Sequence, residues 1–140
     1  MSVDFIDTNV LAYLFDRQDH RRRGIATALV EQALAEGTAV ISWQVAQEVI
    51  NAVTRKAHLE LDAGEIRNVV RDLLQPLWRV QPSPELLERA LDIKTKHGFG
   101  WYDSLIVAAA LEAGCMRLLS EDLQHGQRFG RLRIENPFRS

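Results

Sequence analysis

The sequence predicts an α/β fold of three layers, with a mostly parallel central sheet of four to five strands and helices on both faces. Three observations carry that prediction. Short apolar or β-branched runs alternate along the chain with longer segments of helical period. Most helical segments are bracketed by capping residues, glycine or proline. No repeat, low-complexity stretch or Gly/Ser linker divides the 140 residues, so residues 1–140 are expected to form a single domain. Strands separated by helices pair in parallel and are covered on both faces.

The elements follow in order. Residues 3–6 form the first strand, which ends at Asp7. Thr8 and Asn9 are good capping types for a short helix containing Val10, Leu11 and Leu14. A longer helix covers about residues 20–36 and stops at Gly37. Residues 39–42 are the second strand, and Trp43-Gln44 leads into a helix over about 45–56. The next helix, about 62–74, is expected to close at Pro76, and the pair makes a hairpin between consecutive strands. Residues 77–80 are the third strand, and Pro84 opens a helix ending near His97-Gly98. Asp103 begins an apolar helix stopped by Gly114; residues 116–120 are the fourth strand, and 132–134 supply the fifth.

Composition narrows the function. The hydrophobic share is 46% and the charged share 26%, both ordinary for a soluble globular protein. Lys+Arg 17 against Asp+Glu 19 gives a net charge of −2, which argues against a protein that simply coats nucleic acid. Any RNA affinity must come from local basic patches and a metal. Cys115, the single cysteine, excludes an internal disulfide framework. The start, Met1-Ser2-Val3-Asp4-Phe5, has no basic n-region, and the longest apolar stretch, residues 105–111, stops at Glu112. A cytoplasmic protein without membrane association is expected.

Acids stand where such a fold builds its sites. Asp7 follows the first strand, Asp122 follows the fourth, Asp103 starts a helix, and Glu48 lies about one turn into the helix after the second strand. Open parallel sheets bind ligands beyond the carboxyl ends of their strands, so all four converge on one edge. Singly, each has an ordinary explanation: a first-turn acid, a solvated face shared with Asn51 and Arg55, a turn residue. Their conjunction on four separate elements is what points to a site. Carboxylates brought that close repel, and a hard divalent cation removes the conflict. Oxygen ligands suit Mg²⁺ or Mn²⁺ rather than zinc, and the chemistry that follows is metal-assisted hydrolysis of a phosphodiester.

The residues Asp7-Thr8-Asn9-Val10-Leu11, Glu48, the run from Trp101-Tyr102-Asp103-Ser104 to Ala110, and Leu119-Ser120-Glu121-Asp122 together resemble the PIN-domain family. The similarity runs over residues 3–134, and the size looks like that of the VapC-type toxins. The resemblance implies a magnesium- or manganese-dependent endoribonuclease, a homodimer, and inhibition by a cognate antitoxin protein. It implies that Asp7, Glu48, Asp103 and Asp122 are the catalytic and metal-binding acids. The Ser-x-acid pattern favours Asp122 over Glu121, with Ser120 supporting the site, Asn9 orienting an acid, and Thr8 either capping or supporting.

Other candidates carry less. His20, His58, His97 and His125 show no metal-ligand spacing, and only His125 falls near the acidic edge. Arg21-Arg22-Arg23 reads as a solvated helix face; Arg128, Arg131, Arg133 and Arg139 are the better candidates for RNA contact. Trp43 and Trp101 flank site residues and read as packing groups. Val49, Val53, Leu59 and Leu61 make the helix hairpin apolar enough to expect a dimer mate or antitoxin segment over it. Competing readings are an Asp-nucleophile phosphatase, which wants an acid where Asn9 stands, and a receiver-like signalling module or inactive scaffold. A receiver wants a late lysine, yet Lys96 is the last.

Overall fold

In the computed structural model, which describes residues 2–139, the chain alternates strands and helices as the sequence predicts. The strands are β1 (Asp4–Ile6), β2 (Ala39–Ser42), β3 (Trp78–Val80), β4 (Arg117–Leu119), β5 (Arg128–Phe129) and β6 (Leu132–Glu135). The helices are α1 (Thr8–Ala12), α2 (His20–Glu36), α3 (Trp43–Arg55), α4 (Ala63–Val69), α5 (Gln75–Leu77), α6 (Pro84–His97) and α7 (Trp101–Glu112). The sheet order is β3-β2-β1-β4-β6-β5, parallel except for the β5–β6 pair. Phe5 and Ile6 of β1 are wholly buried, as a central strand covered on both faces requires.

Local chemistry sets the helix boundaries. The Asp19 carboxylate accepts from the Arg22 N–H to start α2, and Gly37, at φ 67°, ends it. Ser42 caps α3 through the Val45 N–H, and Asp62 and Glu65 form a capping box on α4. Ser83 and Pro84 open α6. Gly100 stands before α7, so this helix begins at Trp101 and Asp103 lies inside its first turn rather than at its start.

Two further boundaries differ from expectation. Pro76 does not close the helix: a π-helical turn at Val70–Leu74 leads into α5, where Pro76 sits in a first turn that needs no N–H from it. The sheet has six strands rather than four or five, because β5 pairs antiparallel with β6 through the two-residue turn Gly130-Arg131. Gly130 has φ 60°, the conformation a tight hairpin demands of its first central residue.

The apolar hairpin surface is also covered from within. Val49 and Val53 are fully buried and Leu59 is 3% exposed. Ala52, Val53 and Leu59 form a small cluster with Ala12, Phe15, Leu61 and Ile66. The chain itself supplies the cover for these residues, which corrects the expectation of a partner over them. Arg117, at the amino end of β4, bridges Asp4 and Glu135 and so ties β1, β4 and β6 together. Among the described residues no helix is long and apolar enough to cross a membrane.

Candidate active site

The topology delivers the acids to one place. Asp7 follows the carboxyl end of β1, Ser120 and Asp122 follow β4, and α3 leaves the carboxyl end of β2 carrying Glu48. Helix α7 runs back toward the start of β4, so its first turn, with Asp103, returns to the same edge. Asp7, Glu48, Asp103 and Asp122 line a single cleft of about 290 Å³ with Thr8 and Asn9. Ser120 lies beneath it, fully buried.

Asp7 is the fixed point. It is only 6% exposed, and its backbone N–H donates to the Leu119 carbonyl, which locks the end of β1 to β4. Its Oδ1 accepts from the Thr8 N–H at 2.7 Å; its Oδ2 accepts from Ser120 Oγ at 2.7 Å and Asn9 Nδ2 at 3.1 Å. Burial nevertheless pushes the carboxyl up to about 6, against the pull of the Ser120 and Thr8 hydrogen bonds and with help from the Asp122 and Glu48 charges. The donors stabilise the anion without fully replacing the water it has lost.

Asn9 joins the two arms of the site. Its Nδ2 donates to Asp7 and, at 3.1 Å, to Asp122 Oδ2, while its Oδ1 accepts from the Glu121 N–H at 3.0 Å. Thr8 Oγ1 donates to Glu48 Oε1 at 2.6 Å, and Gln44 Nε2 reaches Glu48 Oε2 at 3.3 Å and the Tyr102 carbonyl at 3.2 Å. Asp7 itself caps α1, which corrects the expectation that Thr8 or Asn9 does; both lie in the helix and cross-link the carboxylates instead. Asp103 is exposed in the cleft wall, and its carboxyl is raised by partial desolvation first and then by the Asp122 and Glu48 charges.

Glu121 faces elsewhere: it accepts from Tyr13 Oη and from Arg22 Nε, so Asp122 is the acid that lines the cleft. Gln44, Asn51, Lys56 and Tyr102 also line it and escaped the sequence reading as site residues. Gln44, Glu48, Ala52 and Lys56 stand four residues apart along α3 and its cap, a spacing that places them on one face. Arg128, Arg131 and Arg133 do not line the cleft. Trp43 packs on Trp78 with ring centroids 5.1 Å apart, and half-buried Trp101 packs against the core.

The donor set is oxygen throughout, with four carboxylates and no histidine or cysteine lining the cleft among the described residues. Among those residues no three His, Cys, Asp or Glu side chains are drawn together tightly enough to enclose an ion. The acids ring the cleft instead. That arrangement suits a hard cation that keeps much of its water and takes few carboxylates directly.

The PIN domain family model matches residues 5–129. Solved structures share the fold at low identity. VapC20 of Mycobacterium tuberculosis, described as a sarcin-ricin loop cleaving toxin, is 20% identical, with a TM-score of 0.61 over 85% of this chain and 91% of that one. The DNA-bound VapBC structure from Salmonella typhimurium matches at 17% identity and TM-score 0.68, covering 98% of this chain and 99% of that one. FitAcB from Neisseria gonorrhoeae matches at 16% identity and TM-score 0.65, over 97% and 99% of the two chains. A search of curated proteins gave no match. With the family model running from β1 to β5 and spanning every acid of the cleft, the chain belongs to the PIN-domain family.

Proposed function

We propose that this protein is a metal-dependent endoribonuclease acting as the toxin of a toxin–antitoxin pair, with residues 1–140 working as one domain. The observation that carries the reading is the gathering of Asp7, Glu48, Asp103 and Asp122 from four elements into one cleft of a PIN fold. The relatives support the biological class: one is described as a cleaving toxin and another as a toxin–antitoxin complex from Klebsiella pneumoniae.

In this reading the four acids would hold Mg²⁺ or Mn²⁺. When bound, the ion would neutralise charge on the scissile phosphate and supply an activated water. The chain's own residues do the positioning. Ser120, Asn9 and the Thr8 N–H hold the Asp7 carboxylate in one orientation, the Thr8 hydroxyl fixes Glu48, and Asn9 sets Asp122 relative to Asp7. An amide suits this bridge, because Asn9 donates to two acids at the position where the phosphatase reading needs a carboxylate.

The proposal includes a cytoplasmic location, a cognate antitoxin and a homodimer. Leu87 and Leu91 on α6, 48% and 52% exposed, together with Trp43, 41% exposed, supply apolar surface for a second copy. Induced expression without the partner is expected to arrest bacterial growth, with RNA cleavage by the purified protein that stops in EDTA and returns with Mn²⁺. Asp7→Asn and Asp103→Asn should relieve the arrest. If both variants, folded and equally abundant, arrest growth as well as wild type, the mechanism is wrong.

A further inference from the structure

A polyanion approaching a four-carboxylate cleft is repelled until it finds compensating positive charge, and a protein of net charge −2 offers none through its overall field. The acid cleft itself is lined by one cation, Lys56, among the described residues. Elsewhere, Arg117 and Arg133 are taken up by Asp4 and Glu135. The positive charge near the site lies instead in a second, open cleft of about 470 Å³ lined by Arg21, Arg22, Arg139, Asn136, Phe138 and Glu121. Three guanidinium groups there face the Glu121 carboxylate in the cleft and the Asp19 carboxylate beside it, which leaves a net positive charge.

This second cleft adjoins the first. Glu121 is the residue before Asp122, and its N–H donates to Asn9, the same side chain that bridges Asp7 and Asp122. Two of its arginines are held in place. Arg22 donates through Nε to Glu121 at 2.6 Å and through Nη1 to Asp19 at 3.1 Å, with its guanidinium over the Tyr13 and Phe138 rings at 5.6 and 5.8 Å. Arg21 donates through Nη2 to the Phe138 carbonyl. Each keeps further N–H groups for a ligand, and Arg139 is exposed beside them. Guanidinium forks match phosphate oxygens, and side chains already fixed lose little freedom on binding.

We infer that the Arg21, Arg22 and Arg139 cleft is a backbone-phosphate subsite that grips single-stranded RNA on the Asp122 side of the acid cleft. The inference rests on the ribonuclease reading above and adds to it where the substrate strand runs. A protein segment fits the cleft less well. Its single apolar lining residue, Phe138, is 3% exposed, so a peptide finds no apolar anchor there, whereas phosphate needs none. Lys56 lies across Asp7 on the β2 side, since β1 stands between β2 and β4, and it gives the strand a contact on leaving the site.

The test is RNA affinity as a function of salt. Single-stranded RNA binding by the wild-type protein and by Arg21→Gln/Arg139→Gln is measured by fluorescence anisotropy from about 50 to about 300 mM salt, with cleavage kinetics in Mn²⁺. Loss of two phosphate contacts should flatten the log–log salt slope by about 1.4, with binding to any sequence weakened alike. KM should rise about tenfold or more while kcat stays within about twofold, because the contact is made equally in ground and transition states.

A thermal midpoint within about 2 °C of wild type shows that the variant is folded. If it is not, Arg139→Gln alone, at an exposed side chain, should flatten the slope by about 0.7. Wild type that binds and cuts RNA while the variants keep its slope overturns the subsite and leaves the ribonuclease reading standing. Wild type that neither binds nor cuts RNA overturns both. Variants that keep the RNA slope but no longer co-purify with the product of an adjacent antitoxin gene would assign the cleft to a protein partner, and the inference fails.

Discussion

Replacing Asp7 by Asn should change how the stability of the metal-free protein depends on pH. The carboxyl is raised from 3.8 to about 6, chiefly by burial. Below about pH 3 it is protonated in both folded and unfolded chains and costs nothing electrostatically. Between about pH 4 and 6 the unfolded chain releases its proton while the folded chain retains it, so stability falls as pH rises. Above the folded value both states are ionised and the penalty stays constant. A shift of about two units, at 1.36 kcal/mol each, amounts to roughly 3 kcal/mol.

The amide in Asp7→Asn would carry no such penalty, but it brings a conflict of its own. Oδ2 of Asp7 accepts from both Ser120 and Asn9. The Ser120 hydroxyl can turn to donate or accept, but the Asn9 amide would meet another N–H, at a cost of about 1–3 kcal/mol. That cost does not depend on pH. Urea unfolding in EDTA at pH 4 and at pH 7 therefore separates the two effects. The variant should be less stable than wild type at pH 4 and should recover by roughly 2 kcal/mol relative to it by pH 7. Relative stabilities that stay within about 0.5 kcal/mol across that range would refute the desolvation argument.

Further outcomes follow from the same geometry. Cleavage and Mn²⁺ binding should weaken as pH falls through about 6, because Asp7 takes up its proton, and a pH profile flat from 5 to 8 would contradict this. Ser120→Ala removes a buried donor to Asp7, so it should raise the Asp7 carboxyl further and lower stability at pH 7 by about 1–3 kcal/mol, less at pH 4. Leu87→Glu with Leu91→Glu should shift the protein to monomers in light scattering and leave its circular dichroism unchanged. Glu121→Gln should disturb Arg22 more than the acid cleft, so Mn²⁺ affinity by calorimetry should stay within about threefold of wild type.

The features legible in sequence and those that were not differ in how local their causes are. Asp7, Glu48, Asp103 and Asp122 could be located because two come just after strands and two lie near the starts of helices at the same edge, where a parallel sheet gathers strand ends and helix starts. Strand β5 gave no signal of its own, since two residues carry no period; only the Gly130-Arg131 turn could have marked it. Pro76 misled because a π-helical turn lets a new first turn begin before it. Val49 and Val53 read as uncovered because Val49 joins the main core and the cover of Val53, Ala12, Phe15 and Ile66, comes from segments that no local pattern links to α3. Arg22 was read as a solvated residue because its partner Glu121 is 99 residues away.

The same contrast runs through the site itself. Asp7 is buried, accepts three hydrogen bonds and has one orientation open to it; Asp103 is exposed and accepts no side-chain or backbone bond among the described residues. A cation entering the cleft meets one carboxylate already placed and one free to turn toward it. Burial makes the first a source of instability without metal, and exposure leaves the second little to lose. Mn²⁺ at about a hundred times its dissociation constant should add about 2.7 kcal/mol to wild-type stability. In the proposed metal site the fixed carboxylate would supply the preorganised half, so Asp7→Asn should lose that gain more completely than Asp103→Asn. Thermal shifts for the two variants across one Mn²⁺ series decide it, and an equal loss, or a larger one at Asp103, would mean that burial contributes nothing to holding the ion.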